Sequence, residues 1–369
     1  MQTNLQIALQ ALIVGFVVTL AVVTGFAYTT LLERKLLAKF QHRVGPNRAG
    51  YIPIPRRGKK ELRLLKGILQ PVADALKLFF KEDATPGRVD RFVYNLAPML
   101  AVMTAIMILA VIPWAGEMTI FGVEFSPYFA IAPGLNVAVL FILAITSVGV
   151  YGIFLGGWAS NSKYAVLGGI RASAQMISYE LALALAVIPA IMLANSMDMG
   201  VIVSAQSGIW FAFVQPLAAV IFFIGILAEL ERSPFDLLEA EQELASGFNV
   251  EYGGMRFGMF YMAEYMKMVS FSAIFAVIFL GGYRGPFVDD FPGLGFIYTF
   301  GKIIFILFIM IWIRATLPRL RYDRLMAFGW KRLLPLALAT VLITAVFIVM
   351  AEEDILTPLF DSVLSVLSF

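Results

Sequence analysis

Residues 229–251 read Glu229-Leu-Glu-Arg-Ser-Pro-Phe-Asp-Leu-Leu-Glu-Ala-Glu-Gln-Glu-Leu-Ala-Ser-Gly-Phe-Asn-Val-Glu251, and they decide how the rest of the chain is read. Seven carboxylates (Glu229, Glu231, Asp236, Glu239, Glu241, Glu243 and Glu251) face one cation, Arg232, within 23 residues. The sequence on both sides is almost purely apolar. Charge is costly to place beside lipid, so an acidic block between apolar runs points to a chemical task at a membrane.

Outward from that block, the 369 residues are 60% hydrophobic and 14% charged, against roughly 45–50% and 25% in soluble domains. The fold class that follows is an all-α polytopic membrane protein, with residues 1–369 forming a single membrane domain. Runs near the roughly 20 residues that cross a bilayer fall at 8–31, 92–113, 136–158, 176–197, 208–230, 262–282, 298–317 and 333–351. These predict about eight transmembrane helices. The polar start Met1 to Gln6 lacks a signal peptide's basic region and cleavage site, so Leu5 to Leu32 reads as a retained span. The tail 352–369 opens with Glu352-Glu353-Asp354 and reads as an interfacial helix. No internal repeat is evident, which weighs against transporter folds built from inverted repeats.

Lys and Arg fix the expected orientation. Loops at 33–91, 159–175, 231–261 and 314–332 carry 25 of the 28 basic residues, so these loops are expected in the cytoplasm and both termini in the periplasm. The first cytoplasmic loop, 33–91, is the longest. Its stretch Pro53-Ile-Pro-Arg-Arg-Gly-Lys-Lys60 has loop composition. Beyond it Ile68, Leu69, Val72, Ala75, Leu76 and Phe79 recur at helical spacing, predicting an amphipathic surface helix over about 66–82. The acidic loop five spans 229–261, where Ser233-Pro234-Phe235-Asp236 predicts a helix start with Ser233 as cap.

The chain has no Cys and one His, His42, so thiolate clusters, bis-His haem and the usual zinc sites are excluded from it. Nothing matches a calcium loop, a phosphate-binding glycine loop or a Ser-His-Asp set, so no catalytic or metal-ligating residue is assigned. Crowded carboxylates cannot all ionise, and some keep protons near neutral pH. Glu229, Glu231 and Glu180, the last set inside a span, therefore form a candidate proton relay. Simpler readings compete: Glu180 paired with Arg171, Asp236 as a helix cap, Glu264 and Lys267 as an intrahelical pair, and Arg314 to Arg324 as a topology signal or as partners of loop five.

Several blocks together resemble a known family: Glu33-Arg-Lys35, Arg43-Val-Gly-Pro-Asn-Arg48, Leu69-Gln-Pro-Val-Ala-Asp74, Gly157-Trp-Ala-Ser-Asn-Ser-Lys163, Ile177-Ser-Tyr-Glu180, Pro234-Phe-Asp-Leu237, Glu239-Ala-Glu-Gln-Glu-Leu244, Gly247-Phe-Asn-Val-Glu251 and Ile313-Arg-Ala-Thr316. Their order along the chain is similar to that of the H subunit of bacterial NADH-quinone oxidoreductase, respiratory complex I, the counterpart of mitochondrial subunit 1. The resemblance implies a multi-pass subunit of the bacterial inner membrane that helps form the quinone-reduction chamber and couples that reduction to proton translocation. It implies quinone as substrate and no redox centre here, with FMN and iron–sulfur clusters in partner subunits. The implied partners are hydrophilic quinone-site subunits and small membrane subunits, with lipid and without nucleic acid.

By the same resemblance Arg34, Lys35, Arg43, Arg48, Gln70, Asp74, Phe235 and Asp236 belong to the chamber. Glu33, Glu180, Glu229, Glu231, Glu239, Glu241, Glu243 and Glu251 belong to the acidic coupling row. Leu238 departs from the family pattern, which commonly has Pro there, and Tyr51 to Lys66 reads as an insertion. The alternatives are the equivalent subunit of a membrane-bound hydrogenase or of another donor's dehydrogenase, and a stand-alone cation-coupled transporter.

Overall fold

The computed structural model describes residues 4–47, 49, 52–54, 62–64, 67–120, 123–125, 127–236, 247–288 and 290–352. Long helices dominate because apolar backbone in a bilayer must satisfy its own hydrogen bonds. In chain order the helices are α1 (Asn4–Phe40), α2 (Gln70–Phe80), α3 (Arg91–Met107), α4 (Ala138–Ala159), α5 (Lys163–Ala194), α6 (Met199–Ala205), α7 (Phe211–Val214), α8 (Pro216–Glu229), α9 (Gly254–Phe279), α10 (Leu294–Thr316), α11 (Tyr322–Phe328) and α12 (Leu334–Glu352). Among the described residues seven helical stretches are long and apolar enough to cross a membrane, those of α1, α3, α4, α5, α9, α10 and α11–α12.

The fifth expected span, 208–230, is built differently. Pro216 has no N–H to continue a helix, so the segment divides at Gln215 into the four-residue α7 and the 14-residue α8. Alone, α8 covers about 21 Å at 1.5 Å per residue, short of a hydrocarbon core of about 30 Å. Two other boundaries move for the opposite reason. Helix α1 continues to Phe40 and α5 begins at Lys163, so Glu33 to Lys35 and Arg171 lie on helices rather than in loops.

Helix α9 is the central post: 83% of its apolar window is buried, against 17% in α1. Helices α1, α3 and α10 pack most closely on it, and α3, α4, α5 and α8 pack on one another in sequence, helped by small residues. A Cβ on Gly152 would lie 3.1 Å from the Ala101 nitrogen, and one on Gly168 would lie 2.8 Å from the Gly247 Cα. The second approach seats the turn Gly247–Asn249 against α5.

The expected amphipathic helix is α2, shorter than 66–82 at both ends. Asp74 and Leu78 face the body of the protein, while Leu69, Val72, Leu76, Phe79 and Phe80 remain exposed. The loop before it holds two short antiparallel strands, with Ile52 opposite Leu64 and Ile54 opposite Leu62. A second antiparallel pair, Met118–Ile120 with Val123–Phe125, lies between α3 and α4. Around Ser233 a tight turn replaces the expected helix start, closed by Phe235 N–H donating to the Arg232 carbonyl at 2.8 Å. The remainder of that predicted helix, with Glu239, Glu241 and Glu243, lies outside the described residues, as do Arg48, Leu238 and the tail from residue 353.

Candidate functional site

Two hollows flank the N-terminal half of α9. The larger is a cleft of about 490 Å³ between α1, α2 and the start of α9. Phe26, Ala27, Thr30, Pro71, Leu78, Phe257 and Met262 make its walls mostly apolar, and Arg34, Asp74 and Lys77 supply the charge. Arg34 pairs with Asp74 at 2.6 Å, and the Gln70 amide donates to the same carboxylate at 3.1 Å. The far wall turns at Gly253-Gly254. Gly254 adopts φ +53°, in the left-handed region, and a Cβ there would stand 3.4 Å from the Lys81 carbonyl oxygen. Above it Tyr94 and Tyr252 stack with centroids 4.1 Å apart, and Arg256 lies over the Tyr94 ring.

The smaller hollow, of about 60 Å³, lies on the other side of α9. Glu229, Glu231, Glu264, Lys267 and Asn249 line it among apolar neighbours, and Tyr261 borders both hollows. A space of this size holds a few waters. Both Glu229 oxygens, Glu231 Oε1 and Asn249 Oδ1 are buried without a hydrogen-bond partner among the described residues. Burial drives the Glu231 carboxyl well above its ordinary range, opposed by Lys267 and reinforced by Glu229, Glu264 and Asp236.

Between the hollows stands a buried charge cluster. Arg232 donates to Glu33 at 2.9 and 3.1 Å, and its Nε lies 2.8 Å from Glu264 Oε1, an ion contact rather than a directed hydrogen bond. The guanidinium also sits over the Tyr265 ring, 4.6 Å from its centroid. Arg314 supplies a second cation to Glu33. The planar, permanently charged arginine fork suits this bridging of two carboxylates. Farther into the membrane, Glu180 accepts from Thr146 and Ser147. It is close enough for its charge to act on Glu229.

A family model described as NADH dehydrogenase matches residues 13–345. The chain belongs to this family. Similar curated members are each named as the H subunit of NADH-quinone oxidoreductase. One from Geobacter metallireducens is 48% identical over 90% of this chain and 93% of its own length. One from Syntrophobacter fumaroxidans is 47% identical over 87% and 91%, and one from Deinococcus deserti 48% over 90% and 82%.

In this member of the family, the residues expected at the chamber separate in space. Arg34, Gln70 and Asp74 come together at the cleft. Lys35 backs onto the Gly45 turn, and Arg43 bonds Gln41 in the exposed loop beyond α1. Phe235 is buried against Tyr179, its carbonyl held by the Gln175 amide, and Asp236 lies beside Glu231 and Glu264. Of the expected acidic row, Glu229 and Glu231 line the small cavity, Glu33 joins it through Arg232 and Glu264, and Glu180 adjoins Glu229. Glu251 stands apart, its backbone carbonyl accepting from Tyr94.

The structure corrects two of the competing readings, the Glu264–Lys267 pair and the Glu180–Arg171 pair, and adds contacts for a third. Glu264 pairs with Arg232, not Lys267, and Lys267 Nζ lies where a Gly149 Cβ would be only 2.8 Å away. Arg171 lies over Tyr322, while Thr146 and Ser147 hold Glu180. Arg314 reaches Glu33 on α1, and Leu320 N–H meets the Pro234 carbonyl at 3.0 Å. Glu264 and Lys267 were visible as charges inside an apolar run. Tyr261, Tyr265 and Asn249 carried no signal of their own.

Proposed function

We propose that this chain is a membrane subunit of an NADH-quinone oxidoreductase, the activity in its relatives' names, and that the assembled complex pumps protons. In this reading the large cleft receives quinone, the apolar walls taking the tail and the Arg34, Asp74 and Gln70 group lying on its polar side. NADH oxidation, FMN and iron–sulfur clusters belong to partner subunits, consistent with a chain that has no Cys and one His. The exposed apolar face of α2 is assigned to lipid, quinone tail or neighbouring subunits. The excess of Lys and Arg in loops 33–91, 159–175, 231–261 and 314–332 supports a cytoplasmic side for them in a bacterial inner membrane, and with α7 and α8 crossing together both termini lie in the periplasm.

The observation that carries the coupling role is the buried bridge Glu33–Arg232–Glu264, standing between a cleft and an acidic cavity that share Tyr261. Reducing a quinone takes up two protons and changes the field at that bridge. The changed field redistributes protons among Glu231, Glu229 and Glu180, and the change passes into the membrane arm. A photoreactive quinone analogue added to the assembled complex tests the cleft. Label at residues 26–34, 71–81 or 252–262, competed away by quinone, supports the assignment. Competed label confined to other surfaces of the chain refutes it.

A further inference from the structure

Lys267 is only 5% exposed in the middle of the most buried helix. It makes no contact ion pair among the described residues. Its Nζ is housed where α4 has no side chain: a Cβ on Gly149 would lie 2.8 Å from Nζ and 3.3 Å from Thr104 Oγ1. A lysine buried so deeply needs compensating charge.

The surrounding charges can be matched in turn. On its own helix Glu264 is taken by Arg232. Glu33 on α1 has Arg232 and Arg314 from α10. Helices α3 and α4 offer only neutral Thr104 and Gly149, and the turn after loop five offers Asn249. Glu180 on α5 is held by Thr146 and Ser147, and Asp236 lies on the Glu231–Glu264 side. Among the described residues Glu229 and Glu231 remain, two carboxylates facing one ammonium across a cavity that Tyr261 also borders and that has room for a few waters.

We propose that Lys267 is a positioning residue for the Glu229–Glu231 pair: its ammonium, seated in the gap left by Gly149, holds the two carboxylates to one shared proton. With two protons the pair cannot accept another, and with none the cavity is left with net negative charge. With one proton, a proton arriving at Glu231 is balanced by one leaving Glu229, and the cavity's charge is unchanged. This inference rests on the relay reading above and adds a residue to it.

The test uses the assembled enzyme in native membranes carrying K267M, K267Q, K267R or E229Q. The rate of NADH reduction of an artificial hydrophilic acceptor normalises for assembled complex. K267M and K267Q both remove the charge, and the polar glutamine guards against misassembly. Without the ammonium Glu231 holds its proton to higher pH, so the optimum for quinone reduction moves up by about one unit in both variants. The rate at neutral pH falls at least fivefold. K267R keeps the parental optimum. A parental pH profile in assembled K267Q overturns the proposal when E229Q is slow. If E229Q itself runs at the parental rate and optimum, the relay reading has failed.

Discussion

Replacing Arg232 by Met tests the buried bridge most sharply. At an effective dielectric of about 20, contacts of 2.8 and 2.9 Å are each worth about 6 kcal/mol of gross attraction. The net loss is far smaller, because removing the guanidinium also removes the cost of stripping it of water. Glu33 keeps Arg314, so one carboxylate, Glu264, is left without its contact partner. A fully buried charge deprived of its partner costs about 3–5 kcal/mol. The Glu264 side chain is 28% exposed, so a loss toward about 3 kcal/mol is expected, and loss of the stack on Tyr265 adds about 1 kcal/mol. Arg232→Lys keeps the charge but cannot span both carboxylates, so its cost is expected near 1–2 kcal/mol. The double variant R232M/E264Q removes the stranded charge and is expected to regain about half of the loss. The assay is thermal inactivation of the purified complex, with release of this subunit followed in parallel. The reasoning is refuted if R232M is no less stable than R232K, or if R232M/E264Q is no better than R232M.

Three further outcomes are expected. Glu231 carries a raised folded-state pKa, so its contribution to stability is greatest at low pH and is lost as pH rises through the folded value. Thermal stability of E231Q is therefore expected to decline less between pH 6 and 9 than that of the parent, and a parallel decline contradicts this. Gly168→Ala sets a Cβ against the backbone of Gly247 and Phe248, costing about 1–3 kcal/mol by overpacking, whereas Gly208→Ala meets nothing within 4 Å. Equal thermal stability of the two variants is the contrary result. The Arg34–Asp74 pair is partly exposed, so R34A is expected to change stability by less than about 1 kcal/mol. The same variant is expected to raise the KM for quinone several-fold, and a parental KM counts against the cleft assignment.

The helical bundle was legible because transmembrane runs are long and continuous, and a bilayer permits few alternatives to helix. What the sequence concealed was local. Hydropathy alone did not show that Pro216 would break the fifth run, or that α1 and α5 would carry polar residues beyond their apolar stretches. The acid row was visible as composition, yet its partners came from distant elements: Glu33 meets Arg232 across 199 positions and Arg314 across 281. Helical spacing favoured Glu264 with Lys267, but a nearby buried guanidinium won Glu264. Lys267 turned instead toward the space opened by Gly149, a glycine whose significance appears only once α4 and α9 are packed.

In the proposed function, quinone chemistry at the cleft is coupled to protons through the acid row. Glu180, at the deep end of that row, offers the most direct measurement: protons pumped and quinone reduced by Glu180→Gln complex in sealed vesicles. Pumping and quinone-coupled NADH oxidation are both expected to fall, while NADH reduction of a hydrophilic artificial acceptor is unchanged. Pumping at the parental rate and stoichiometry in fully assembled Glu180→Gln complex would contradict that coupling.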